Sequence, residues 1–151
     1  MSWLTGEQLI SKIKKNADQE TREAFGGVFS IDQLPSAIPH YPYFVIVNTQ
    51  AHNLPGEHWK TVFINKEKRA EVFDSLALPL NNLLIRWLNR FTHSFTANHF
   101  TYQHPLSPTC GAFAIYFTLN RLHNPKCVTN LFSSSLHDNV SLVVKYYESL
   151  K

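Results

Sequence analysis

Leu80, Leu83, Leu84, Trp87, Leu88, Phe91 and Phe95 recur at spacings of three and four residues, with Asn82, Arg86, Asn89, Arg90 and His93 between them. This spacing predicts an amphipathic helix with one apolar face. Tyr43-Phe44-Val45-Ile46-Val47-Asn48 is instead apolar almost without a break and rich in β-branched and aromatic residues, which predicts a central strand buried on both faces. Two more strands are expected from His58 to Asn65 and from Ala70 to Ser75, joined as a hairpin by the polar turn Lys66-Glu67-Lys68-Arg69. Gly111 to Leu119 is apolar all round, so a helix there is buried on every side, and Asn124-Pro125 ends it.

The chain ends show their own signals. Thr5-Gly6-Glu7-Gln8 is a capping box, with Leu4 and Leu9 placed as a hydrophobic staple, so a first helix runs from there through Ile13 to Lys15 or beyond. Gly26-Gly27 reads as a turn, and Phe100 to Gln103 as a short strand-like piece. A last helix is expected with Asp138 as its N-cap, burying Val140, Val143, Val144 and Tyr147.

A chain of 151 residues fits a single domain over residues 1–151. Its 44% hydrophobic and 17% charged content excludes a disordered tail and a charged coiled coil. No apolar stretch reaches the ~20 residues of a membrane helix, and no basic start followed by an apolar run marks a secretory signal. Two cysteines, Cys110 and Cys127, form no disulfide framework, which favours a reducing intracellular setting. The net charge is +3, unevenly spread. From Ser75 to His137 there is no acidic residue, while Arg86, Arg90, Arg121 and Lys126 lie there with five of the eight histidines. Any site in that stretch sits in a positive potential.

Cys110 follows Pro105 and Pro108 and opens the buried helix. A thiol at a helix N-terminus gains from the backbone N–H groups and the macrodipole, which favour the nucleophilic thiolate; the bland alternative is a small core residue. A nucleophile needs a base and a group to orient that base. His58 opens one hairpin strand after a loop holding Pro55, and Asp74 closes the other, so the two meet at one rim of the sheet. Gln103 can offer its amide beside the Cys110 backbone N–H as an oxyanion hole. A zinc set of His93, His99, His104 and Cys110 can be written down, but its spacing fits no finger pattern and it would silence the nucleophile. No metal is expected.

Ile46-Val47-Asn48-Thr49, Gly56-Glu57-His58-Trp59, Val72-Phe73-Asp74, Gln103 and Cys110-Gly111 together resemble the adenovirus protease family, the adenain-like cysteine proteases, and more distantly the ubiquitin-like-protein-specific proteases. The likeness extends from about Phe25 into the helix after Cys110. It implies an α+β adenain-like fold with a central mixed β-sheet flanked by helices and the catalytic cysteine at the N-terminus of a buried helix. By the same likeness His58 is the general base, Asp74 its partner, Cys110 the nucleophile and Gln103 the oxyanion donor. The implied activity is that of a viral or virus-like endopeptidase cutting structural precursor proteins after small, glycine-containing motifs, in a host nucleus or virion. The alternatives are an isopeptidase acting on ubiquitin-like modifiers, an acetyltransferase with the same triad, and a non-catalytic nucleic-acid-binding relative. The family uses DNA and a peptide as activators. No cysteine precedes Cys110, so a disulfide-linked activating peptide is not expected, and Arg86, Arg90, Arg121 and Lys126 are the candidate contacts for non-specific DNA.

Overall fold

The computed structural model describes residues 1–50 and 58–151. Pro55, Gly56 and Glu57, part of the motif before His58, lie outside the described residues. Five strands form one mixed sheet: β1 (Phe25–Ser30), β2 (Tyr43–Asn48), β3 (Trp59–Ile64), β4 (Arg69–Phe73) and β5 (Ser94–Ala97). They lie side by side in chain order. β1 runs parallel to β2 and β5 parallel to β4, while β2, β3 and β4 are antiparallel neighbours.

Alternation along the strands sets two faces. Val45 and Val47 of β2, Val62 and Ile64 of β3 and Val72 of β4 point one way, onto helix α3 (Asn82–Phe91) through Leu84, Trp87 and Leu88. Phe44, Phe63 and Phe73 point the other way, onto helix α4 (Cys110–Asn120) through Ala112, Phe113 and Phe117. Helices α5 (Cys127–Leu131) and α6 (Leu136–Ser149) close that side through Cys127 and Val143. Helix α1 (Gly6–Asn16) packs Leu9 and Ile13 on Ile46, Ala114 and Ile115. The short α2 (Gln19–Ala24) leads into β1. The architecture is therefore α+β, a mixed sheet between layers of helices, as the resemblance implies. Among the described residues no helix is long and apolar enough to cross a membrane.

Several expectations hold in detail. Thr5 and Gln8 make both bonds of the capping box, and Leu4 and Leu9 are buried in one cluster. The β3–β4 hairpin turns where expected, although Arg69 already belongs to β4 and Lys68 takes the left-handed conformation at φ 60°. Others need correction. Gly26-Gly27 is not a turn but part of β1, where a Cβ on Gly26 would stand 2.2 Å from the Tyr43 ring. Phe95 belongs to β5, because α3 ends at Thr92, whose backbone turns extended at φ −131° and ψ 157°. Phe100 to Gln103 forms no strand. The last helix starts at Leu136 with Ser135 as its cap, and Asp138 is the residue whose N–H that cap receives. α2 and α5 carry too few residues for a periodicity and were not foreseen.

Candidate active site

The β3–β4 register places the acid and the base. Thr61 faces Phe73 and Val62 faces Val72, and Lys60 and Asp74 each lie one residue beyond Thr61–Phe73, the last pair of the register. The His58 Nε2 is hydrogen-bonded to Asp74 Oδ1. Cys110 is the second group that acts on His58, and its presence beside the ring favours the imidazolium. Acid, base and thiol are all buried: His58 is 5%, Asp74 2% and Cys110 1% exposed.

Electrostatics match the order of the groups. Burial alone would push the His58 imidazolium down, but hydrogen bonds from Asp74 and Cys110 and the charge on each raise it to about 9. Burial would raise Asp74, yet its hydrogen bond to His58, the charges of His58 and Lys60 and the Leu76 N–H hold it below the usual carboxylate range. The carboxylate is saturated. Oδ1 accepts from His58 and from the Leu76 N–H at 2.8 Å; Oδ2 accepts from the Leu78 N–H at 3.0 Å and faces Lys60 Nζ at 3.3 Å.

Cys110 is the first residue of α4, so its N–H belongs to the turn that lacks intrahelical acceptors. The preceding residue, Thr109, does not cap the helix with its side chain; its hydroxyl is 2.6 Å from that of Ser107. Gly111 is next, and Leu4 fills the space where a Cβ would stand, at 3.0 Å. Trp59 fixes that contact by donating its indole N–H to the Leu4 carbonyl at 3.0 Å. The His-Trp pair therefore divides its work between the thiol and the segment packed against the helix start.

Gln103 is 1% exposed, and both ends of its amide are fixed. Its Oε1 accepts from the Ser75 hydroxyl at 2.5 Å, and its Nε2 donates to the Ser107 carbonyl at 2.7 Å, so one N–H of the amide is spoken for and a second is carried beside it. The backbone N–H groups of Tyr102 and Gln103 donate to the Ser75 carbonyl at 2.8 and 3.0 Å. Asn98 clamps the same corner, accepting from the Asp74 N–H at 2.9 Å and donating to the Asp74 carbonyl at 2.7 Å. Acid and amide are thus held by one compact corner after β4.

Two residues of this site escaped sequence reasoning. Lys60 interrupts an apolar strand two places after His58, and that alternation was a signal that the ammonium shares the histidine's face. Ser75 had no comparable mark.

The four basic residues do not form one surface. Arg86 and Arg90 are exposed on α3, whereas Arg121 and Lys126 lie on the α4–α5 side of the sheet. Arg121 is ion-paired with Glu71, to which its Nε donates at 2.6 Å, and its guanidinium covers the Phe63 ring at 4.7 Å. Among the described residues no three His, Cys, Asp or Glu side chains come close enough to hold a metal ion, so His93, His99, His104 and Cys110 form no site.

This arrangement of sheet and helices recurs in solved structures. The ASFV pS273R protease is 14% identical and superposes with a TM-score of 0.57 over 94% of this chain and 66% of that one. A selenomethionine structure of the same protease gives 17% and 0.50 over 67% of this chain and 42% of that one. ChlaDUB, an effector protein of Chlamydia abortus, is 21% identical, with a TM-score of 0.52 over 71% of this chain and 56% of that one. The chain has this protease fold and spans less than two thirds of the length of each of these proteins. No protein-family model and no curated protein matches the sequence.

Proposed function

We propose that this chain is a cysteine peptidase in which Cys110 is the nucleophile, His58 the general base and acid, Asp74 the group that orients His58, and Gln103 an oxyanion donor. One observation carries the reading: His58 is bonded through Nε2 to a buried carboxylate and is influenced by a buried thiol that opens a helix. In the reaction the proton is already on His58, whose imidazolium titrates near 9, and Cys110 Sγ attacks the scissile carbonyl carbon as the thiolate of that pair. The oxygen that becomes negative meets the Cys110 N–H and the second N–H of Gln103. His58 returns the proton to the leaving amine, the C–N bond breaks and a thioester remains. Water, deprotonated by His58, then releases the acid and restores the thiol.

The adenain-like resemblance implies substrates with small, glycine-containing residues at the scissile bond. Precursor proteins of a virus, the class implied by the adenoviral resemblance, and ubiquitin-like modifiers are the two substrate classes, the second favoured by the fold shared with ChlaDUB. DNA and a non-covalent peptide are the activators this reading admits, and a reducing intracellular compartment suits the two free thiols.

The test is mass spectrometry after treatment with an electrophilic peptide ending in Gly-Gly. Labelling is expected on Cys110, absent in His58→Ala and absent in Cys110→Ala, while Cys127 stays unlabelled because burial pushes its thiol up to about 11. Full turnover in Cys110→Ala would end the assignment. Parallel assays on precursor-derived peptides and on modifier fusions separate the two substrate classes.

A further inference from the structure

Lys60 is 4% exposed, on the strand that carries His58, with its ammonium 3.3 Å from Asp74 Oδ2 and 3.5 Å from the Pro79 carbonyl. A buried ion pair is poor currency for stability, since desolvation cancels most of the attraction and an apolar pair often serves as well. The cation also adds a third charge to a dry cluster that already holds the His58–Asp74 pair.

We propose that Lys60 is a positioning residue of the site, a fixed cation that holds the Asp74 carboxylate facing His58 and offsets part of its charge, and so sets the pH range in which His58 can take and return a proton. The inference rests on the peptidase reading for its purpose, although the Asp74–Lys60 pair stands without it. The fold supplies the geometry: Lys60 and Asp74 each lie one residue beyond Thr61–Phe73, the last pair of the β3–β4 register, with Nζ 3.3 Å from Oδ2. Each carboxylate oxygen then receives one cationic partner and one backbone N–H. The titratable groups facing His58 are Asp74 and Cys110, and those facing Asp74 are His58 and Lys60. Removing Lys60 takes away a positive charge that opposes the imidazolium, so His58 should hold its proton to higher pH. The same loss makes the Cys110 thiolate harder to form.

The experiment follows the His58 ring by NMR titration of histidine-labelled protein, in the parent, Lys60→Met and Lys60→Arg. With Lys60→Met the His58 midpoint should rise by about one unit, and the onset of Cys110 alkylation by iodoacetamide should move the same way. Lys60→Arg, which keeps the charge, should stay near the parent in both. An unchanged midpoint in Lys60→Met, or equal shifts in the Met and Arg variants, overturns the proposal. Lys60→Gln repeats the neutral arm should Lys60→Met not fold, and loss of folding in both neutral variants also overturns it, by making Lys60 a requirement of the fold. The peptidase reading fails separately: in the parent it requires Cys110 to react ahead of Cys127 and to lose that preference in His58→Ala, neither of which involves Lys60.

Discussion

His58 gains two partners on folding, so its proton is linked to stability. Its imidazolium titrates near 9 in the folded chain against an ordinary 6.5, so the contribution is present in full below pH 6.5 and declines as the pH rises to about 9. The difference corresponds to at most about 3 kcal/mol. Urea unfolding at pH 6 and pH 9.5 should show the parent losing stability across this interval and His58→Gln losing much less; parallel slopes would show that the ring is not stabilised by Asp74 and Cys110. Asp74→Asn should leave a folded protein of lower melting temperature, since the side chain keeps its shape but its one oxygen can accept from only one of the Leu76 and Leu78 N–H groups. Turnover should fall on the order of 10³-fold to 10⁴-fold, because an amide cannot stabilise the imidazolium. Steady-state rates on a Gly-Gly peptide check it, and a loss under tenfold would move the acid's role elsewhere. Lys60 and Ser75 show where residue-level legibility stopped. A histidine, an acid and a cysteine announce chemistry by type, whereas a lysine or serine that orients them is recognised only when the register brings it to the carboxylate or the amide.

Between elements, close approach decides what a substitution does. β1 reaches β2 only because Gly26 has no side chain where the Tyr43 ring lies, 2.2 Å from a built Cβ. Gly26→Ala should therefore destabilise the chain by roughly 1–3 kcal/mol, the usual range for overpacking, and a melting temperature equal to the parent's would contradict this. The same contact explains why a glycine pair that reads as a turn is a strand. Its signal lies in a distant tyrosine, not in its neighbours. At the other end of the sheet, Ser75→Ala should free the Gln103 amide to rotate, lowering kcat about tenfold with KM little changed, whereas Gln103→Ala removes the donor and should cost about 3 kcal/mol of transition-state stabilisation. A KM effect alone in either variant would remove Gln103 from the oxyanion site. The interior strand, the hairpin, the amphipathic α3 and the apolar α4 were legible because each has a long, consistent period. β5 was not, since Phe95 continues the α3 spacing and the extended backbone of Thr92 that ends the helix before it has no mark in the spacing.

On the scale of the whole molecule, the sheet separates charges that the sequence places in one acid-free stretch. Arg86 and Arg90 stand one turn apart on the exposed side of α3, while Arg121 on the far side of the sheet is neutralised by Glu71 and laid over Phe63. A polyanion lying on α3 therefore meets two cations, not four. Each phosphate neutralised releases condensed counterions, so the logarithm of the binding constant for duplex DNA should fall with the logarithm of salt concentration with a slope of about −2, where a four-cation surface would give about −4. Fluorescence anisotropy across a salt series measures that slope. The double variant Arg86→Glu, Arg90→Glu should abolish binding. Arg121→Ala should leave the slope unchanged and lower the melting temperature instead, because it strips a guanidinium from Phe63 and leaves Glu71 unpaired. A slope near −4, or equal binding by the parent and the α3 double variant, would show that the contact runs over another face.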